Sequence, residues 1–196
     1  MRSCDQRIDF MLPDHAVHAL FDQYDSIKQA IGSSNPSELS ALDAQYRKIA
    51  VLSCASYLEA DTVHAFKAYF VAQGTALGEF VRIYAIERKF HTWFDWEKAT
   101  PDKFFKSWGA VCLEDYKEKM LSDGDFDACM RSFMVLVSAR NQLVHNNLAE
   151  VVSDLTFDEV RDHFARARHF AELAVEMVSA EGRPRDDAST GGAHHG

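Results

Sequence analysis

Apolar residues recur at steps of three and four along nearly the whole chain, the spacing that places side chains on one face of an α-helix. Val17, Phe21, Tyr24 and Ile31 follow this spacing, and Gly32 is a typical residue for the end of that helix. No segment shows the two-residue alternation of a half-buried strand, and no internal repeat is present. The sequence therefore predicts an all-α fold, an up-down helical bundle of about five to seven helices.

Residues at helix ends divide this pattern into segments. Asn35-Pro36 predicts the start of a second helix that continues to about Gly74, either as one very long helix or as two collinear ones. Thr156 and Glu159 have the spacing of a capping box and predict the start of the last helix, which Gly182 ends. We expect one helical domain at 1–181, with a helix at 14–32 leading in, and a disordered polar tail at 182–196.

Composition narrows the class of protein. A chain of 196 residues can bury a core without disulfides or a metal ion. The net charge of −9 argues against general electrostatic binding of nucleic acid over the whole surface, but it allows a local basic site. The four cysteines form no C-x-x-C pair, and three of them, Cys54, Cys112 and Cys129, are expected to be buried thiols. Without a signal-like or membrane-spanning apolar run, the expected location is the cytoplasm.

The most informative segment is Arg140-Asn141-Gln142-Leu143-Val144-His145-Asn146-Asn147, at the end of a strongly apolar helix. An arginine guanidinium neutralises phosphate oxygens and binds them in pairs. A histidine imidazole gives or takes a proton near neutral pH. Together these groups suit cleavage of a phosphodiester without a metal ion. The alternative is structural: His145 as a residue of the helix C-terminus, Arg140 in an ion pair with an acid such as Glu59.

The spacing within this segment has a geometric consequence. Arg140 and His145 are five residues apart and lie about 140° apart around an ideal helix, whereas Asn141 and His145 share a face. One chain therefore makes a poor complete site. A two-fold homodimer would bring two copies of the segment into one groove.

The R-N-x-x-x-H segment, Arg140 to His145, resembles the signature of the HEPN superfamily, and the chain is similar to its RiboL-PSP-HEPN branch. Softer support comes from Ser56-Tyr57-Leu58-Glu59, the aromatic passage 90–96 and the segment 104–109. The resemblance covers about residues 40–180. It implies a HEPN-like bundle, a homodimer and, in active members, a metal-independent endoribonuclease, commonly in toxin–antitoxin or phage-defence settings.

By the same resemblance, Arg140 and His145 are catalytic and Asn141 completes the site. The expected reaction is attack of the RNA 2′-hydroxyl on the adjacent phosphorus. Many members have tyrosine two residues after the histidine, where this chain has Asn147, which we expect to be accessory at most. Glu59 lies in an apolar helix and is either an orienter of the site or a structural residue.

Other groups have two interpretations each. Arg161, Arg166 and Arg168 form either a track for the RNA backbone or a solvated face. Trp93, Phe94, Trp96 and Trp108 either stack on bases or pack in the core. No histidine has metal-ligand spacing, so no metal and no cofactor are expected.

The expected partners are RNA, a second copy of the chain and an antitoxin or other regulatory protein, with no membrane. The alternative function is a non-catalytic dimeric interaction or nucleotide-sensing module.

Overall fold

The computed structural model describes residues 11–72, 74–87, 89–96, 98–146, 150 and 153–181. Within them the chain is helical, and its β-type pairing is an isolated bridge between Asp95 and Thr100. The helices are α1 (His15–Ile31), α2 (Pro36–Ala72), α3 (Ala76–Val81), a π-helical segment (Arg82–Ile86), α4 (Phe90–Trp93), α5 (Asp102–Ser107), α6 (Ala110–Ser122), α7 (Gly124–His145) and α8 (Phe157–Glu181). The all-α prediction is confirmed.

Helices α1, α2, α7 and α8 form the bundle, and α2 and α8 each pack against α1 and α7. Arg47 near the start of α2 donates to the Ser153 carbonyl just before α8, and Tyr69 near the end of α2 donates to the Ser179 carbonyl in α8. These two bonds show that α2 and α8 run in the same direction. Helix α7 runs opposite to both, since Phe126 contacts Phe170 of α8 whereas the later Ser132 contacts the earlier His163. Arg140 near the C-terminal end of α7 lies against Glu59, just past the middle of α2.

The predicted helix ends are reproduced where local chemistry specifies them. Helix α2 begins at Pro36 and continues unbroken for 37 residues, so the single-helix alternative is correct. Thr156 Oγ1 accepts from the Glu159 amide at 3.2 Å, and the Glu159 carboxylate accepts from the Thr156 amide at 2.8 Å. The capping box at the start of α8 is therefore confirmed. The predicted tail at 182–196 lies outside the described residues.

The described residues contain eight α-helices and a π-helical segment, more than the five to seven expected. The difference arises between residues 76 and 93, where one apolar period is divided among α3, the π-helical segment and α4. Glu87 adopts an extended conformation that breaks the helix there. The Trp93 indole donates to the Ala85 carbonyl at 2.9 Å, replacing a bond that the continued helix would have made.

The core is unusually aromatic. Trp108 stacks on Phe66 and Phe70 with ring planes within 13° of parallel, and Phe105 stacks on Tyr116 at 4.3 Å. Phe133 and Phe170 bring α7 and α8 together at 5.2 Å between ring centroids. Such ring contacts join the helices of the core, and the one between Phe133 and Phe170 fixes the middle of α7 against α8.

Candidate active site at the end of α7

Arg140 lies on the side of α7 that faces α2. Its Nη2 atom is 3.8 Å from Glu59 Oε2, and its Nη1 atom donates to Asn141 Oδ1 at 3.2 Å. The Arg140 side chain is 30% exposed and that of Glu59 is 39% exposed, so the pair is reachable from solvent. Glu59 is therefore half-exposed rather than buried. The Asn141 amide oxygen accepts a hydrogen bond from the guanidinium, and the Glu59 carboxylate lies within ion-pair distance of it.

His145 is the last residue of α7, and its side chain is exposed. The helix ends there because Asn146 is extended, with φ −113° and ψ 171°. Both the backbone amide and the side-chain amide of Asn146 donate to the Gln142 carbonyl, at 3.2 and 2.8 Å. These bonds satisfy a carbonyl of the last turn that would otherwise lack a partner. The imidazole is thereby presented to solvent at a defined helix end.

Arg140 and His145 point in different directions within one chain. Arg140 is turned toward α2, whereas His145 is turned toward solvent, as expected from their five-residue separation. Asn141 is half-buried and contacts Arg140. Asn147, the accessory residue predicted after the histidine, lies outside the described residues. The structure thus brings Arg140, Asn141 and Glu59 together and leaves the His145 imidazole exposed at the helix end.

The three arginines of α8 do not form one exposed track. Arg161 pairs with Asp25 of α1 at 2.8 Å and lies 5.3 Å from the centroid of the Phe21 ring. Arg168 pairs with Asp14, which precedes α1. Only the Arg166 side chain of the three is exposed. Arg161 and Arg168 are thus half-buried in contacts that join α8 to α1, which favours their structural interpretation.

The aromatic residues considered for base stacking belong to the core. Trp93 and Phe94 are buried, and Trp108 stacks in the core on Phe66 and Phe70. Trp96 is half-buried and its indole donates to the His91 carbonyl at 2.7 Å. The core-packing interpretation of these residues therefore agrees with the structure.

Thiol and metal chemistry find no support among the described residues. Cys54, Cys112 and Cys129 are buried, as predicted, and burial raises the pKa of the Cys54 thiol to about 12. A thiol that holds its proton so strongly is a poor nucleophile. No cluster of three or more histidine, cysteine, aspartate or glutamate side chains suited to a metal ion occurs in this part of the chain.

An open cavity beside α7 was not predicted from the sequence. Its volume is about 640 Å³, and it is lined by Met120 of α6, by Met130, Met134 and Gln142 of α7, and by residues 153–155. Segments far apart in the chain contribute to the cavity, so a local sequence pattern does not predict it. The sequence does show several methionines on and near α7, and methionine often lines adaptable binding surfaces.

Comparison with protein families finds a match over most of the chain. A family model described as RiboL-PSP-HEPN matches residues 17–180. The chain belongs to the RiboL-PSP-HEPN family. The resemblance inferred from the R-N-x-x-x-H segment is confirmed, and the match extends beyond the expected 40–180 to include most of α1.

HEPN-family domains are commonly ribonucleases, and many of them bind RNA and dimerise. No curated protein and no solved structure was found to match the chain. Along the described residues, no helix combines the length and the apolar character needed to cross a bilayer. Family membership thus supports a helical domain with ribonuclease-like relatives.

Proposed function

We propose that this protein is a metal-independent endoribonuclease effector that cleaves RNA through attack of the 2′-hydroxyl, in a toxin–antitoxin or phage-defence setting. The observation that carries the proposal is the geometry at the end of α7. There Arg140 contacts both Glu59 and Asn141, and the His145 side chain is exposed. The family supplies the context, because its domains are commonly ribonucleases. The proposed catalytic residues are Arg140, His145 and Asn141, with Glu59 positioning Arg140.

In the proposed reaction His145 removes the proton of the 2′-hydroxyl, whose oxygen then bonds to the adjacent phosphorus. The bond from phosphorus to the 5′-oxygen breaks, and His145 of the partner subunit donates a proton to that oxygen. Arg140 stabilises the additional negative charge on the phosphoryl oxygens in the transition state. Asn141 orients the guanidinium. The products are a 2′,3′-cyclic phosphate and a 5′-hydroxyl.

A two-fold dimer would bring together the arginine and histidine side chains that one chain keeps apart. Within one subunit Arg140 faces α2 and His145 faces solvent. Pairing the ends of two α7 helices would place both histidines and both arginines around one groove. The exposed Val144, at 52% of its full accessibility, adds apolar surface at this position. The proposed assembly is therefore a homodimer with a composite site, which an antitoxin or other regulatory protein would keep inactive.

The first prediction concerns Arg140 and His145. We expect Arg140→Ala and His145→Ala each to lower the rate of RNA cleavage at least about a hundredfold, because each removes a group that acts in the transition state. The measurement is cleavage of a labelled single-stranded RNA, with end-group analysis of the products. Arg82→Ala and His91→Ala are matched controls, since Arg82 pairs with Glu79 near the far end of α2 and His91 is exposed on α4.

Three results would count against this mechanism. One is undiminished cleavage by purified His145→Ala that is folded by circular dichroism. Another is strong inhibition by EDTA that magnesium or zinc reverses. The third is cleavage of a DNA strand of the same sequence, because DNA lacks the nucleophile.

A second candidate function is a non-catalytic dimeric module for interaction or nucleotide sensing. Two observations favour it: the net charge of −9, and the engagement of Arg140 by a carboxylate in the same chain. Expression in bacteria separates the two functions. Growth arrest by wild type but not by His145→Ala supports the ribonuclease, whereas equal tolerance of both and no cleavage in vitro support the module.

A further inference from the structure

The open cavity of about 640 Å³ beside α7 has the size and lining of a small-molecule site. Its floor includes Met130, Met134 and Leu143, which are buried, and Met120 of α6 is half-buried at one side. Thioether sulfur contacts flat aromatic rings favourably, and methionine adapts to rings of different size. The floor therefore suits a planar, uncharged group.

The polar groups of the cavity are few and defined. Gln142 and Asp154 are exposed, and Ser138 is half-buried. Thr100 and Ser153 also line the cavity. Arg131, whose side chain is 72% exposed, donates through Nε to both carboxylate oxygens of Asp127, at 3.0 and 2.9 Å. Asp154 forms no ion pair with the described residues. Among these residues, the cavity thus offers one amide, three hydroxyls and one carboxylate without an ion-pair partner, which accepts hydrogen bonds from an amino group.

The cavity adjoins the proposed catalytic histidine. Gln142 and His145 are three residues apart on α7, so their side chains are neighbours, about 60° apart around the helix. Both are exposed. A nucleotide whose phosphate lies at His145 would hold its own base, or the next one, over Gln142.

We infer that this cavity receives a base next to the scissile phosphate and selects one that carries an exocyclic amino group. The inference rests on the proposed function and assigns the specificity of that site. The Gln142 amide can both donate to and accept from adenine, while the Asp154 carboxylate accepts from the amino group of adenine or cytosine. Uracil has a carbonyl oxygen in place of that amino group and meets the carboxylate unfavourably. Single-stranded RNA is commonly recognised through such splayed bases.

Cleavage-site sequencing tests the inference with a randomised RNA pool. For wild type we expect the amino-bearing bases to exceed uracil at a position next to the cut by at least about fivefold. Gln142→Leu, which keeps the size but removes the amide, should bring this ratio close to one. Asp154→Asn is a second variant with the same expectation. Gln23→Leu is the matched control, since Gln23 is exposed on α1.

Cuts without a preference beside the cleaved bond overturn the inference, as does a preference that neither Gln142→Leu nor Asp154→Asn changes. A binding measurement separates failure of the inference from failure of the proposed nuclease. His145→Ala is titrated with two labelled dodecamers, all-uridine RNA and the same RNA with one central adenosine. Tighter binding of the adenosine RNA, lost when Gln142→Leu is added, supports the base site even if wild type cuts nothing. Equal binding of the two RNAs overturns it even if wild type is a nuclease.

Discussion

At the scale of single residues, Asp61 of α2 is unusual because it is an acidic side chain buried in the core. It is fully buried, and its Oδ1 atom accepts from the Leu12 amide at 2.6 Å. Its Oδ2 atom has no hydrogen-bond partner among the described residues. Arg168 and Glu172 of α8 and Tyr57 of α2 also face it. Burial raises the pKa of Asp61 above its ordinary value, although the Leu12 amide and Arg168 oppose this.

The raised pKa makes stability depend on pH in a defined direction. Native Asp61 holds its proton to higher pH than the unfolded chain does, so its contribution to stability is present in acid and is lost as pH rises through the raised pKa. We expect the stability of Asp61→Asn relative to wild type to increase as the pH rises above about 4, the ordinary pKa of an aspartate. Urea denaturation at several pH values measures this. A difference that is constant with pH, or the same for exposed Asp115→Asn, contradicts the assignment.

At the scale of elements, α8 depends on the capping box at its start. Thr156→Ala removes the hydroxyl that accepts from the Glu159 amide, and its expected cost is about 1 kcal/mol in the free energy of unfolding. The melting temperature should fall by about 2–4 °C. Thermal and urea unfolding measure both quantities. Ser40→Ala is the control, because Ser40 is exposed within α2; an equal effect of both substitutions would show that the cap does not stabilise α8.

At the scale of the whole molecule, the composite site requires two subunits. We expect a mass near 44 kDa in solution, about twice the 22.2 kDa of one chain. We further expect wild type, unfolded and refolded with an equal amount of His145→Ala, to keep about a quarter rather than about half of the activity of the same total amount of wild type. Only about a quarter of the dimers then hold both histidines that the proposed reaction uses. Sedimentation and cleavage assays measure these outcomes. A monomer at micromolar concentration, or activity near one half in a mixture shown to contain heterodimers, argues against shared sites.

Much of the fold and part of the candidate site were predictable because their signals are local. Pro36, the Thr156–Glu159 box and Gly32 act within a turn of their own position, so the ends of α1, α2 and α8 could be read from neighbouring residues. The angle between Arg140 and His145 follows from helix geometry alone. The break at Glu87 was missed because the apolar period continues through it, and the contact between Trp93 and the Ala85 carbonyl that accompanies the break is not visible in that period.

The sequence by itself determined that the chain is helical, where its long helices begin and end, and which family it belongs to, since these depend on short-range patterns. Only the tertiary structure decided which residues each helix face contacts. Leu77, Phe80 and Tyr84 have the spacing of a buried stripe, yet they are 70%, 58% and 65% exposed because no described element covers them. Arg161 and Arg168 look equivalent to Arg166 in the sequence, but among the described residues acids at distant positions pair with the first two and not with Arg166. The cavity beside α7 likewise exists only where separate segments meet.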